Sequence, residues 1–133
     1  MKTAFIIVDV QNDFISGSLA LKNGEQIVPE INRILENHEF DSVIYTKDWH
    51  PVNHISFHEN RELWGGKTEQ EAFSKVTLKN KLGDDYDQVL WPTHCVQGSN
   101  GAELHKDLIV KEGSFEVKKG LTGLWFKNSE IRT

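Results

Sequence analysis

The chain has 133 residues, a formal net charge of -5 and a pI near 5.6. That length suits one domain of ordinary size, and the acidic balance, with no basic run and no apolar stretch of spanning length, argues against nucleic acid or an anionic membrane as partner. A single cysteine, Cys95, excludes an internal disulfide framework and any CxxC zinc site, so a metal here must take histidine and carboxylate ligands.

Met1-Lys2-Thr3 leads straight into a strand-like segment with no signal peptide, which makes the cytosol the expected setting. The run "TAFIIVDV", Thr3 to Val10, is almost continuously apolar and β-branched, and predicts a strand buried on both faces of a parallel sheet. The polar "QNDFISGS" follows as a loop. In "NGEQIVPEINRILENH", Ile27, Val28, Ile31, Ile34 and Leu35 recur at the spacing of one helical face, with Pro29 tolerable only near the first turn. "SVIYTKD" is a second strand, so the unit reads as βαβ with a right-handed crossover, and its two strands deliver Asp9 and Asp48 to the carboxyl edge of one sheet. Further on, Thr68-Glu69-Gln70-Glu71 reads as a capping box opening an exposed, charged helix with Phe73, Val76 and Leu82 on its apolar side, Gly83 as its stop and a lid as its use. A short apolar run then leads into His94, and "SFEVKKG", Ser114 to Gly120, predicts a third strand ending in lysines. No repeat or linker divides the chain, which reads as one domain over residues 1–133.

Three histidines crowd into "KDWHPVNHISFH". Asp48 and His50 are two apart at a strand end, so both side chains leave the same side; His54 follows in a loop that can bend back, and His94 ends a later segment. Two histidines, one carboxylate and open positions suit catalytic zinc, and iron or manganese as well. Spacing alone leaves the other reading open, in which these are surface histidines with Trp49 and Phe57 packed beneath. His38, His58 and His105 have no such grouping and are expected in solvent. Asp9, at the end of the most apolar strand, is costly to bury without a partner, and Lys119 at the end of the third strand is the cation that could meet it, as a proton-handling pair or as a structural salt bridge.

"FIIVDVQNDF", "TKDWHPVNHISF", "LWPTHCVQGSNGAELH" and "KKG", taken in order from about residue 4 to about residue 120, resemble the nicotinamidase branch of the isochorismatase-like cysteine hydrolases. The resemblance implies a doubly wound, mainly parallel three-layer α/β/α fold. It implies hydrolysis of nicotinamide to nicotinate and ammonia in NAD salvage, with pyrazinamide as a second substrate. Asp48, His50 and His94 become metal ligands, zinc being the first expectation and iron or manganese the others, with His54 a further ligand or a support behind them. Asp9 and Lys119 become two members of a catalytic triad. Phe14 and Trp91 flank the pyridine ring.

The third triad member of that family is a cysteine in a motif like A-T-D-x-C-V beyond the lysine, and no such motif occurs in this sequence. Cys95 sits beside the metal-type His94, and neighbours in an extended segment face opposite ways, so it reads as a small buried hydrophobe. The expectation is therefore a shortened family member: the last strands of the sheet absent, the Asp9 strand left with an open apolar edge and face, and a homo-oligomer as one way to cover it. Two other functions remain open from sequence, a non-catalytic metal-binding fragment or subunit and a hydrolase that uses metal-bound water.

Overall fold

The computed structural model describes residues 1–79 and 83–123. Its regular elements follow in the order β1 (Ala4–Val8), α1 (Asn12–Ile15), α2 (Ile27–Asn37), β2 (Ser42–Asp48), β3 (Lys75–Lys79), β4 (Asp85–Val89) and β5 (Phe115–Lys119), with short 3-10 helices at Gly24–Gln26, His58–Trp64 and Asn100–Ala102. β1, β2 and β5 form one parallel sheet in that spatial order, Val8 standing opposite Thr46 and Asp48 opposite Lys119. Parallel neighbours cannot be joined by a tight turn, and α2 provides the crossover between β1 and β2. The expected βαβ unit and third strand are present.

One face of this sheet carries the main core. Phe5 and Ile7 of β1 and Val43 and Tyr45 of β2 pack against Val28, Ile31 and Leu35 of α2, with Val10, Ile15 and Leu108 closing the ends. Those α2 residues recur at three- and four-residue intervals, while Ile27 and Ile34 flank the stripe and stay more exposed. Pro29 falls in the first turn, where its missing N–H has no intrahelical partner to lose. Asn32 ties the return chain to the helix, donating to the Asp107 carbonyl at 2.7 Å and accepting from the Ile109 amide at 2.8 Å. The buried Tyr45 hydroxyl donates to the Ile109 carbonyl at 2.7 Å.

The opposite face departs from the two-sided burial that the apolar run predicts and agrees, among the described residues, with the open apolar edge and face also expected of the Asp9 strand. Ile6 and Val8 are 55% and 62% exposed, and Phe115 and Val117 of β5 are exposed beside them. Alternating side chains send Ile7 into the α2 core and Ile6 and Val8 the other way, where no element covers them among the described residues. Among the described residues β1 is also an edge strand, paired only with β2.

The middle segment corrects a second expectation. Residues 75–79 and 85–89 form an antiparallel hairpin in place of the capped helix, with Thr77 opposite Asp87. Two physical causes are visible. The Arg61 guanidinium donates to the carbonyls of His58, Lys67 and Thr68 at 2.9, 3.2 and 2.9 Å, fixing the stretch in which the helix was to begin. "KVTLK" has period two, with Val76 and Leu78 buried in a small core with Ile55 and Leu90 and its lysines outward. Lys75 and Lys79 pair with Asp87 and Asp85 at 2.8 and 2.7 Å across the strands. Gly83 does adopt a positive φ of 86°, as a turn residue of the hairpin, and Leu82 lies outside the described residues. His38 is exposed as expected. His58 and His105 are half-buried, His58 because its Nε2 reaches the Gln70 carbonyl at 2.9 Å.

The two sheet faces predict opposite mutational behaviour. Leu35→Ala, in the α2 core, should cost about 2–5 kcal/mol of unfolding free energy in urea titrations, whereas Ile6→Lys should stay within about 0.5 kcal/mol of the parent. A large loss from Ile6→Lys would mean that this face is covered in solution.

Candidate metal centre and acid-base pair

The carboxyl edge of the parallel sheet gathers charged side chains from all three strands. β1 stops at Asp9, which takes a left-handed φ of 53°, a conformation that aspartate tolerates better than bulky residues. Its backbone N–H still donates to the Thr46 carbonyl at 3.1 Å, and its Oδ1 accepts from the Thr46 hydroxyl at 2.7 Å. Its Oδ2 meets Lys119 Nζ at 2.7 Å, and the same ammonium contacts Asp48 Oδ1. Burial alone would lower the Lys119 pKa, but hydrogen bonds and attraction from Asp48 and Asp9 outweigh it and raise it, so Lys119 is a fixed cation between two carboxylates.

The second Asp48 oxygen faces the histidines. Oδ2 lies 3.5 Å from His50 Nε2 and 3.8 Å from His94 Nε2, and one ligand atom from each of the three residues falls within 4.8 Å of the others. Each histidine is oriented from behind. His50 Nδ1 reaches the Gly120 carbonyl at 3.2 Å and His94 Nδ1 the Pro92 carbonyl at 2.7 Å. A carbonyl only accepts, so each Nδ1 carries a proton and, in the neutral ring, leaves the Nε2 lone pair pointing inward, the arrangement that ligating imidazoles adopt. Burial would raise Asp48, yet its interactions with His50 and Lys119 outweigh that and bring its carboxyl down to about 2. Burial lowers His94 as well, so its ring is held neutral. One ionised carboxylate and two inward-facing imidazole Nε2 atoms are the donor set a borderline divalent cation takes.

His54 is next to this group and outside the three. Its ring is 4.2 Å from that of His50, but its Nδ1 lies 2.7 Å from the Ser56 hydroxyl and accepts from the Ser56 amide at 3.3 Å. An amide N–H only donates, so the neutral ring carries its proton on Nε2 and presents a donor there. Burial first, and then repulsion from His50 and His94, lower the His54 pKa from 6.5 to about 4. Phe57 is fully buried beneath the cluster, with His50, His54 and His94 rings at 5.6, 5.5 and 5.3 Å. Phe57 thus has the packing role considered for it, under grouped histidines. Phe14 stands 5.6 Å from the His94 ring, while Trp91 is partly exposed and packs edge-on to Phe73 at 5.9 Å.

Cys95 is buried, with Sγ 3.9 Å from the Gly101 carbonyl. Burial, then the carboxylates of Asp13, Asp48 and Asp9, push its thiol well above the usual range, which keeps it protonated. Its backbone N–H donates to Asp13 Oδ2 at 2.7 Å. Sequence reasoning passed over Asp13, Gln11, Ser56 and Gly120, all of which brace the cluster. Only Gly120 carried a readable signal, a glycine directly after a strand. At its φ of 69° a Cβ would lie 2.2 Å from His50 Nδ1, so only glycine lets the strand end pass the ring.

The sequence matches the isochorismatase domain family over residues 3–130. The chain belongs to that family. A nicotinamidase of Acinetobacter baylyi is 43% identical over 118 residues, covering 88% of this chain and 49% of that protein. The solved yeast nicotinamidase superposes with a TM-score of 0.79 at 34% identity, covering 92% of this chain and 58% of that one. The pyrazinamidase of Pyrococcus horikoshii, solved in complex with zinc, gives a TM-score of 0.64 at 29% identity over 96% of this chain and 56% of that one. The isochorismatase-like α/β fold with a mainly parallel sheet is thereby established, and this chain spans about half the length of the relatives it matches. Among the described residues no helix is long and apolar enough to cross a membrane.

Two outcomes follow from this geometry. The unfolded chain takes up the His54 proton near pH 6.5 and the folded chain only near 4, so between those values the unfolded state binds more protons and stability falls as pH falls. The depressed Asp48 acts in the same direction below its ordinary 3.8. For metal-free protein, the unfolding free energy from urea titrations should drop between pH 7 and pH 4.5 by an amount on the order of 3 kcal/mol if His54 acts alone; a flat profile would contradict the buried neutral ring. Gly120→Ala should displace His50 and weaken zinc binding in calorimetric titrations, with a strain cost on the order of 1–3 kcal/mol.

Proposed function

We propose that this chain carries the metal-binding and acid-base half of a nicotinamidase-type amide hydrolase. The reading rests on one observation above the others: Lys119 joins Asp9 to Asp48, whose other oxygen faces His50 and His94, so a proton-handling carboxylate and a metal ligand share one cation. The relatives named above support nicotinamide as substrate, with pyrazinamide as a second, and zinc as the first metal to test. The expected setting is the cytosol, in the salvage of pyridine nucleotides.

When bound, the cation supplies a Lewis-acidic anchor for the ring nitrogen of the substrate, directly or through water. Asp48, His50 and His94 would hold it, with the His54 ring beside that of His50 as a support behind them. Phe14 and Trp91 flank the ring. Asp9 accepts the proton of a cysteine thiol; the thiolate attacks the carboxamide carbon, and the C–N bond breaks as Asp9 returns the proton to the leaving ammonia. Water then adds to the thioester, giving its proton to Asp9, and the C–S bond breaks to release nicotinate and restore the thiol. Lys119 stays protonated and stabilises the anionic partners on both sides.

The thiol in this scheme is not Cys95, which is the only cysteine of the sequence and is buried and protonated. Residues 1–133 hold no other thiol for this step. The test is ammonia release from nicotinamide by zinc-loaded chain 1–133, by its Cys95→Ala variant, and by a chimaera in which residues 1–123 continue into the unmatched half of the Acinetobacter baylyi nicotinamidase. The reading expects no turnover from the first two, turnover from the chimaera, and a loss of at least about 100-fold when the chimaera carries Asp9→Asn. Turnover by chain 1–133 that disappears with Cys95→Ala would make Cys95 the nucleophile, and turnover that survives it would favour metal-bound water.

A further inference from the structure

β1 and β2 do not end together. β2 continues to Asp48, but β1 turns away after Asp9, whose carbonyl accepts from the Gln11 amide at 2.8 Å. In a parallel ladder the residue that faces a neighbour with both backbone groups alternates along the strand. Thr46 faces β1, accepting from the Asp9 N–H, so Asp48, two residues on, turns its own N–H and C=O to the same side, where β1 is no longer present.

The Gln11 side chain fills that place. Its Oε1 accepts from the Asp48 N–H at 2.8 Å, and its Nε2 donates to the Asp48 carbonyl at 2.8 Å and to the Ala102 carbonyl at 2.8 Å. The Asp48 amide can only donate and the two carbonyls can only accept, so the orientation of the carboxamide is fixed. Gln11 has no exposed surface. A buried carboxamide with oxygen and nitrogen both engaged acts here as one further ladder residue for β2, at the residue whose carboxylate faces the histidines.

We propose that Gln11 is the positioning residue of the metal centre, holding the Asp48 backbone in strand geometry so that Oδ2 stays beside His50 and His94 while Oδ1 stays on Lys119. This rests on the reading that Asp48, His50 and His94 hold a divalent cation. Gln11 touches neither the cation nor the substrate. It acts through Asp48, and its removal should register in metal affinity and ligand geometry beyond any loss of stability.

The experiment is zinc titration calorimetry on chelator-treated chain 1–133, together with the visible spectrum of the cobalt(II)-loaded protein. It compares the parent with Gln11→Met, which keeps the volume and removes all three hydrogen bonds, and with Val28→Ala, which loosens the α2 core away from the site. The expected result is zinc binding about 10–100-fold weaker in Gln11→Met, with its cobalt bands displaced, and parent-like binding and spectrum in Val28→Ala. Unchanged affinity and spectrum in Gln11→Met, or an equal loss in Val28→Ala, would overturn the proposal. Should Gln11→Met fail to fold, hydrogen exchange of the parent decides: the Asp48 amide should be protected like the amides inside β2, and exchange at the rate of an open amide would refute the lock. Parent protein that takes up no zinc would remove the metal reading itself, a result distinct from a parent that binds and a variant that binds equally well.

Discussion

Everything at the functional edge depends on one ammonium group. Parallel strands bring Asp9 and Asp48 to the same end of the sheet, where two carboxylates without compensation would repel each other and resist burial. Lys119 enters from β5, in register with Asp48, and reaches both. With that charge in place Asp48 stays ionised at low pH, and an ionised Asp48 is what makes the neighbouring imidazoles useful as ligands. The sheet register, the Asp9–Lys119 pair and the candidate metal site are thus one electrostatic arrangement.

Around it, the chain uses backbone groups to fix side chains. Gly120 and Pro92 offer carbonyls that set the tautomers of His50 and His94, and the Ser56 amide sets the opposite tautomer in His54. Asp13, reaching across to the Cys95 amide, holds the peptide that follows His94, and Gly101 leaves it room, since a Cβ there would fall 2.1 Å from its Oδ2. Phe57 closes the floor with apolar surface. Such bracing keeps the three ligand atoms close together with like-oriented lone pairs, a placement that solvent-exposed histidines would not maintain.

The parts legible in the sequence were those written in local pattern. The βαβ unit showed in an apolar run, a helical stripe and a second strand, and the charged residues Asp9, Asp48 and Lys119 showed because they stand at or just past strand ends. The hairpin was not legible, since Phe73 and Val76 fit a helical spacing while Val76 and Leu78 fit a strand, and the choice was made by Arg61 and by Ile55 and Leu90, which are distant in sequence. Gln11 was illegible for a related reason: its partners Asp48 and Ala102 are 37 and 91 residues away. The uncovered side of β1 reflects what packs on the sheet, and an apolar run alone does not state how many of its faces will find a neighbour.

The central claim is that Asp48, His50 and His94 form a metal site whose ligands are fixed before metal arrives. X-ray absorption at the zinc edge on the purified, zinc-loaded chain tests it most directly. The account predicts one zinc per chain, with two imidazole nitrogens and one carboxylate oxygen from the protein, water filling the remaining position, and no sulfur. A sulfur ligand from Cys95, or a zinc environment unchanged by His94→Ala, would contradict it.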